Sequence, residues 1–472
     1  MPLADRTLPP ARKPRFPGRL ARPSAPCCPN GEPMSPNRVL LTGVVGGTAA
    51  AVLLPLDEPG LGWLLTAAVV FALIRKVRPG WTVLSLLLFG TGALVADTVL
   101  FALCVVAGCA AGSLAVVGGR TARGLVLGAG AVPAVVFRAV PWVARGVRTS
   151  TKASELARPL AVTAAVLAVF LPLLAGADAA FAEILGESAP EVDGQLVLVF
   201  VAVGLGLVGA CYLTTLPPQD DQPAPRRTVA LREWAMPVGA LVGLFAAFVG
   251  VQVTTLFGGD DYVLRTAGVT YAEYARRGFW QLLAVAVLTL GVIAVAARVA
   301  EPSDRKWLRG LLGALTGLTL VIVASALNRM WVYQQAYGFT TLRVLVSACE
   351  LWLALVYLMV LVAGVRLRGG WLPRAVVGSG FAALVGLALL NPDRFTAERN
   401  AARWQETGKI DLVYLGRLSD DAVPVLAALP EPMRQCALRF REVSEDDWRS
   451  WNLARSRARE ALRDFQPTGC AR

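Results

Sequence analysis

Long apolar stretches, separated by short polar breaks, recur between residues 39 and 390. A membrane-spanning helix needs about 20 apolar residues, and these stretches approach that length without the strict alternation typical of strands. We therefore predict an all-α integral membrane protein with about eleven transmembrane helices. The predicted spans are 39–56, 61–74, 81–96, 98–118, 160–176, 195–216, 236–256, 280–298, 308–327, 344–364 and 373–390. The apolar segment 124–144 is interrupted by prolines and an arginine, so we interpret it as interfacial or re-entrant.

The polarity pattern divides the chain into three parts. Residues 1–38 are basic and rich in proline, a composition that cannot bury a core, so we expect a disordered arm. Within it, Met34 lies just before the first apolar stretch and is an alternative start. Residues 39–390 form the multi-spanning part. Residues 391–472 are polar and are predicted to form a small, mainly helical C-terminal extramembrane domain.

The positions of the charges predict the orientation of the chain. The N-terminal arm and every second loop carry 27 Lys and Arg against 8 Asp and Glu, whereas the opposite loops carry 5 and 11. Cytoplasmic loops of membrane proteins are enriched in Lys and Arg. The net charge of +13 therefore indicates a multi-pass plasma-membrane protein with a cytoplasmic N-terminus and an external C-terminus. The lipid bilayer is its predicted partner, and no nucleic acid is needed to explain the basic excess.

The chain contains no histidine, which excludes His-dependent triads, His-ligated zinc or haem and phosphorelay histidines. No pair of cysteines has metal-ligand spacing, so we predict no metal and no cofactor. Cys436 and Cys470 form an isolated pair in the tail. They are expected to form a disulfide if the tail is exported and to be free thiols if it is cytoplasmic.

Glycines recur within several predicted spans. The run Gly204-Leu-Gly-Leu-Val-Gly209 has the spacing of a dinucleotide-binding motif, but it lies inside a span and indicates helix packing instead. The pairs Gly108/Gly112, Gly239/Gly243 and Gly313/Gly317 likewise predict close helix packing.

Segment 257–280 is the first of three polar segments expected on the external side. Thr270 and Glu273 have capping-box spacing, which predicts a short interfacial helix. The alternative is a ligand site formed by its charged and aromatic groups. These are Asp260, Asp261, Arg265, Glu273, Tyr274 and Arg277.

The second segment, 328–343, contains Arg329, Tyr333, Tyr337 and Arg343. Gly338 is predicted to end one helix before Thr340 opens the next. An external arginine needs a carboxylate partner or an anionic ligand. Glu350 lies seven residues after Arg343 on the same helix face and inside a span. Such a residue indicates a functional site, and a structural ion pair with a neighbouring arginine is the alternative.

The third segment opens the tail and contains the candidate ligand-binding residues Asn400, Arg403 and Tyr414. Asp421 is predicted to be the N-cap of a helix with Pro424 in its first turn. A second capping signal at Ser444 predicts an amphipathic helix that continues to Leu462.

Several of these motifs resemble one family. They are 177–182, 270–281, Asn328-Arg-Met through Tyr337-Gly-Phe-Thr, Leu390-Asn-Pro-Asp, and Tyr414-Leu through Leu418-Ser-Asp-Asp-Ala-Val-Pro424. Together they resemble a bacterial multi-spanning family catalogued as domain of unknown function four-one-seven-three, over roughly residues 160–430. The resemblance implies a membrane protein without an assigned reaction.

Three function classes follow from these observations. The leading hypothesis is binding of an anionic or polar cell-envelope ligand, a lipid or a glycan, at the external face. Its arginine contacts would be Arg277, Arg329 and Arg343, and its tyrosine contacts Tyr274, Tyr333 and Tyr337. The second hypothesis is a secondary transporter that uses Glu350 as a proton or cation site. The third is an envelope glycosyl- or phospho-transferase that uses Asp260 and Asp261, or Asp420 and Asp421.

Overall fold

The computed structural model describes residues 35–74, 76–147, 163, 194–216, 228–257, 279–366 and 369–466. Every regular element in these ranges is helical. The first twelve helices are α1 Pro36–Leu53, α2 Leu61–Leu73, α3 Pro79–Gly90, α4 Thr98–Val117, α5 Ala122–Ala129, α6 Ala131–Val147, α7 Gly194–Thr215, α8 Leu231–Phe257, α9 Phe279–Val299, α10 Arg305–Tyr337, α11 Thr341–Arg366 and α12 Leu372–Leu390. The tail adds α13 Pro392–Thr407, α14 Leu412–Leu415, α15 Val423–Ala427, α16 Met433–Leu438 and α17 Leu453–Leu462.

Seven helices of the described part are long and apolar enough to cross a membrane: α4 and α7 to α12. The pair α5 and α6, bent by 60°, would make an eighth if it were one span, and α1 to α3 are shorter apolar helices. The all-helical membrane class is therefore confirmed, whereas the count of eleven spans is not. The predicted span 160–176 lies outside the described residues, apart from residue 163.

Helix ends follow local signals in the sequence. The carboxylate of Asp97 accepts hydrogen bonds from the N–H groups of Val99 and Leu100, which begins α4. Gly338 ends α10 with φ of +86°, a conformation that glycine adopts at little cost, so the predicted break is confirmed. A Cβ at Gly338 would lie 2.7 Å from the side-chain oxygen of Asn400, because the tail approaches the chain closely at this turn.

Two faces of the bundle can be defined by the helix ends that meet there. The tail face contains loops 54–60, 91–97 and 338–340, and the tail packs against all three. The basic face contains the opposite helix ends. There Arg78 donates to the carbonyl of Val116, and Arg374 donates to the carbonyl of Gly119. Successive helices therefore run in alternating directions between the two faces wherever short loops join them.

Helices α5 and α6 both contact the basic-face ends of their neighbours. The hydroxyl of Ser113, near the end of α4, donates to the carbonyl of Gly128 and accepts from the N–H of Val132. Trp142 packs edge-on against Tyr212, near the end of α7, with 5.5 Å between ring centroids. This position favours the interfacial or re-entrant interpretation of segment 124–144 over a complete crossing.

The glycines differ in what surrounds them. Helices α1 and α7 approach closely, because a Cβ at Gly43 would lie 3.1 Å from the carbonyl oxygen of Gly204. Close packing is thus confirmed there, and a Cβ at Gly108 would lie 3.0 Å from the ring of Phe89. For Gly239/Gly243 and Gly313/Gly317 the same prediction is not confirmed, because a Cβ there would meet no described atom within 4 Å.

Candidate functional site

Asp421 links the tail to the spanning helices. One of its carboxylate oxygens accepts from the N–H groups of Ala96 and Asp97 at 2.8 and 3.1 Å and from the Ser419 hydroxyl at 2.9 Å. The other accepts from the Asn391 amide at 2.5 Å. The prediction that Asp421 caps its own helix is therefore wrong, because both oxygens are used by donors from other segments. The side chain is only 3% exposed.

Burial raises the pKa of the Asp421 carboxyl, and the hydrogen bonds from Asn391, Ala96 and Ser419 oppose that shift. Burial also raises the pKa of Asp97, and the nearby charge of Asp393 adds to this effect. The groups that donate hydrogen bonds to Asp421 are all neutral, and no cation is among them. No cluster of three or more Asp, Glu or Cys side chains in the described ranges has the geometry of a metal site.

Asp393 and Tyr414 fasten the α10–α11 turn to the tail. Asp393 accepts from the Thr341 hydroxyl at 2.5 Å and from the N–H of Ser419 at 2.7 Å. The hydroxyl of Tyr414 accepts from the N–H of Thr341 at 2.8 Å. The predicted ligand-binding residue Tyr414 thus serves the first turn of α11, where the backbone N–H groups have no partner within the helix.

A second fastening uses the end of the tail. Asn452 donates to the carbonyls of Gly92 and Val95 and caps α17 with its own oxygen. Arg455 pairs with Asp446 at 2.6 Å and with Glu58 at 3.2 Å. The prediction of a helix starting at Ser444 is wrong: α17 begins at Leu453, because the Ser444 hydroxyl donates to Glu58 instead of capping a helix.

Tyr333, Tyr337 and Arg343 lie together at the tail face, and their use in ligand binding stays a prediction. The Arg343 guanidinium lies 4.4 Å from the ring centroid of Tyr333 and donates to the carbonyl of Gly338 at 2.6 Å. Tyr333 and Tyr337 have ring centroids 5.0 Å apart, and Tyr337 is 57% exposed. The group combines a cation with an exposed aromatic surface.

Asn400 and Arg403 bind backbone groups of the α10–α11 connection. Asn400 accepts from the N–H of Phe339 at 3.0 Å and donates to its carbonyl at 2.8 Å. Arg403 donates to the carbonyls of Gln335 and Ala336, which lie in the last turn of α10. Both predicted ligand-binding residues therefore have structural partners at a helix end.

Glu350 behaves differently from these residues. It lies within α11 and is 2% exposed, and one carboxylate oxygen is fully buried without a hydrogen-bond partner. Among the described residues no ion pair of Glu350 is found, so the alternative explanation, a structural ion pair with a neighbouring arginine, has no support there. A buried carboxylate without a partner is rare, because removing the charge from water is costly.

Polar side chains lie at a similar depth on neighbouring helices. Gln334 of α10 donates to Ser347 of α11 at 3.2 Å, which sets the register of the two antiparallel helices. At 1.5 Å per residue, Glu350 and Arg329 lie within about 3 Å of the same depth. Gln252 of α8 joins this layer, because its side-chain oxygen accepts from Ser325 and from Arg329, both at 2.7 Å.

A recess of about 250 Å³ lies between α8 and α10 at this depth. Its walls are mainly apolar and include the side chains of Gln252, Ser325 and Asn328. Gln252 and Ser325 were not predicted as site residues from the sequence, although a glutamine within an apolar run is a recognisable signal. Asn452 and Arg455 were also missed, because nothing local links a tail residue to loops some 360 positions away.

Six predicted site residues lie outside the described residues: Asp260, Asp261, Arg265, Glu273, Tyr274 and Arg277. Their grouping into a ligand site stays a prediction. Cys436 is disulfide-bonded, whereas the cysteines of the described spanning helices are free. Cys470, its predicted partner, is outside the described residues, so that pairing also stays a prediction.

The helices and the intramembrane carboxylate define a multi-pass α-helical membrane protein. The model of the family Domain of unknown function (DUF4153) matches residues 83–429, and the chain belongs to this family. Membership of a family built on a domain of unknown function is thus confirmed. The motifs suggested family number 4173, whereas the match is to number 4153. The match begins earlier than the expected residue 160 and ends close to the expected 430. No curated protein and no solved structure matches the chain.

We predict that Asp421→Asn destabilises the protein by about 1.5–3 kcal/mol, the usual loss for a hydrogen bond to a charged group. The new amide would face the amide of Asn391, so two donors would meet. Thermal unfolding in detergent measures the effect. Asp464→Asn, at an exposed position without a partner among the described residues, should change stability by less than about 0.5 kcal/mol.

The exchange Asn391→Asp with Asp421→Asn is the matching rescue, because it reverses the donor and the acceptor of the 2.5 Å bond. It should recover part of the loss. If Asp421→Asn melts like the wild type, the tail is not fastened through this carboxylate.

Proposed function

We propose that this protein is a secondary transporter of the plasma membrane in which Glu350 binds a proton or a cation. The supporting observation is the buried Glu350 carboxylate, one oxygen of which has no hydrogen-bond partner. A buried carboxylate with a purely structural role is expected to be paired with a cation, because leaving one charge of a buried ion pair without its partner destabilises the fold by about 3–5 kcal/mol. An ionisable group within a span that lacks such a partner is a candidate site for ion or proton movement.

The layer around Glu350 supports this proposal. Gln252, Ser325, Gln334 and Ser347 bring amides and hydroxyls to its depth from three helices. Such groups hydrogen-bond to a polar solute or a hydrated cation in either direction, because each can donate and accept. Arg329 adds a positive charge, which favours an anionic or zwitterionic solute.

The transporter is oriented with the basic face in the cytoplasm and the tail face outside. This orientation rests on the excess of Lys and Arg at the basic face, and it makes the Cys436 disulfide compatible with an oxidising compartment. Glu350, about two turns from the start of α11, then lies in the outer half of the membrane.

Orientation is tested by labelling intact cells with a membrane-impermeant maleimide. We expect Glu445→Cys, at an exposed tail position, to react, and Lys306→Cys, at an exposed position of the basic face, to react only after lysis. The unsubstituted chain gives the background. The opposite pattern would contradict the orientation.

The proton site is tested by reconstituting the protein and stepping the external pH on a solid-supported membrane. We expect a transient charge movement in the wild type and its loss in Glu350→Gln, because glutamine keeps the shape and cannot take up a proton. Glu398→Gln is the control, since this carboxylate forms an exposed ion pair with Arg394. Equal transients in Glu350→Gln and wild type would exclude Glu350 as the site.

Transport itself is measured with an entrapped pH dye and three probes: inorganic phosphate, glutamate and glucose. At least one should drive proton movement that Glu350→Gln abolishes. If the charge movement of wild type is present and none of the probes, nor any of their mixtures, moves protons, transport of these solute classes is excluded while the ion site remains.

Binding of an anionic envelope ligand at the tail face is the second candidate. Tyr333, Tyr337 and Arg343 favour it, because an exposed aromatic surface beside a guanidinium suits a glycan or a lipid headgroup. The arginine already donates to Gly338, so a ligand would have to share its remaining donors. A transferase that uses Asp420 and Asp421 has less support, because Asp420 pairs with Arg441 and both oxygens of Asp421 are engaged.

The second candidate predicts that a sugar phosphate or glucuronate raises the melting temperature of the wild type. Tyr337→Ala should abolish this ligand-induced shift and leave the unliganded melting temperature nearly unchanged, because the side chain is exposed. Trp448→Ala, which removes an exposed aromatic residue of the tail, is the matched control. A shift that survives Tyr337→Ala would remove the aromatic pair from the site.

A further inference from the structure

A groove opens among α9, α10, α11 and α12 towards the basic face. It has a volume of about 380 Å³, within the usual range of ligand pockets. Its lining is almost entirely aliphatic or glycine, with one charged side chain, that of Arg309. The groove is therefore suited to a hydrocarbon chain and not to a wholly polar ligand.

Glycines keep this groove open. A Cβ at Gly313, Gly364 or Gly369 would meet no described atom within 4 Å. Tight helix packing through these glycines would close the space. Helices α1 and α7 pack in that way at Gly43 and Gly204, and no room for a further Cβ is left between them. In a membrane, an apolar groove of this kind is filled by lipid, because an empty one would forfeit its dispersion contacts.

Arg309 supplies the polar end of the site. It lies in the second turn of α10, is exposed, and forms no hydrogen bond or ion pair with any described residue. Four more exposed cations without described partners stand at the same helix ends: Arg298, Arg305, Lys306 and Arg366. Glu301 and Asp304 lie among them, so the cations exceed the acids by five to two in this cluster.

We propose that this groove binds an anionic diacyl phospholipid, with one acyl chain along Gly313 and Gly364 and the phosphate on Arg309. Neither the apolar groove nor the basic cluster requires such a lipid by itself. An apolar groove accepts any acyl chain, and a basic cluster attracts any phosphate. Their junction within one helical turn selects a molecule that carries both, and basic pockets between spanning helices are known anionic-lipid sites.

The site is independent of Glu350, which lies fourteen residues before Gly364 on α11, towards the other face. A variant that loses lipid binding can therefore still be assayed for the proposed ion movement at Glu350. The two proposals fail or succeed in different assays.

The test is lipid titration of the purified, delipidated protein, followed by native mass spectrometry and thermal unfolding. Phosphatidylglycerol should bind at least tenfold more tightly than phosphatidylcholine with the same acyl chains. Inorganic phosphate at the same concentration should produce no stabilisation, because it lacks the acyl chain. Raising the salt concentration should reduce the preference for phosphatidylglycerol, because the headgroup contact is an exposed charge interaction.

Two variants separate the halves of the site. Arg309→Gln should reduce the affinity for phosphatidylglycerol about tenfold and leave phosphatidylcholine unchanged. Gly364→Leu should weaken both lipids, because its side chain fills the groove in a direction where no described atom stands in the way. Arg457→Gln, at an exposed arginine on the tail, is the matched control and should bind like the wild type.

The proposal is overturned if both lipids bind equally and Arg309→Gln changes neither. It is also overturned if inorganic phosphate stabilises the protein as much as phosphatidylglycerol, or if Gly364→Leu binds both lipids like the wild type. Because Arg309 and Gly364 have open surroundings, each variant should fold. Size-exclusion elution of each variant before titration checks this.

Discussion

The structure depends on how the backbone groups at the tail-face ends of the helices are satisfied. An α-helix leaves its first four N–H and last four C=O groups without partners, and a membrane protein has few alternatives for them. The tail provides many of these partners. Asp421 accepts from the N–H groups of residues 96 and 97, and Arg403 donates to the last turn of α10. The N–H of Gly62, in the first turn of α2, donates to the carbonyl of Arg449.

This constraint changes the meaning of the polar residues at that face. An arginine or aspartate near a membrane surface suggests a ligand when only its sequence is considered. Arg403, Asn400 and Tyr414 are instead used by the backbone of the α10–α11 connection. Of the predicted site residues that are described, Glu350 stands apart, because it is buried and has no such partner. Its layer, which includes Gln252, is consequently the stronger place to look for function.

The sequence predicts three helices in the second half of the bundle well, whereas α10 extends ten residues beyond its predicted end at 327. For α9, α11 and α12, hydropathy places both ends within three residues of those observed, because lipid-facing and core-facing positions are both apolar. It predicts the partners of Asp421 and Ser444 poorly, because capping signals are local and their actual partners come from loops far away in the chain. Gly313 shows the same limit. A glycine pattern indicates a helix face with small side chains, but it does not indicate whether another helix or a lipid covers that face.

The two fastenings of the tail differ in their position relative to the family match. The match covers 83–429 and thus includes Glu350, its polar layer and Asp421. The second fastening joins Glu58 to Arg455, and both residues lie outside the match. Asn452, also outside, reaches into the matched part at Gly92. The family segment therefore contains the candidate ion site and one fastening of its own. The flanking segments add a second fastening, which holds the tail-face ends of α1 and α2 to the same tail. If the proposed ion site is shared across the family, the matched segment contains Glu350 and its polar layer, whereas the second fastening lies mainly in the flanking segments.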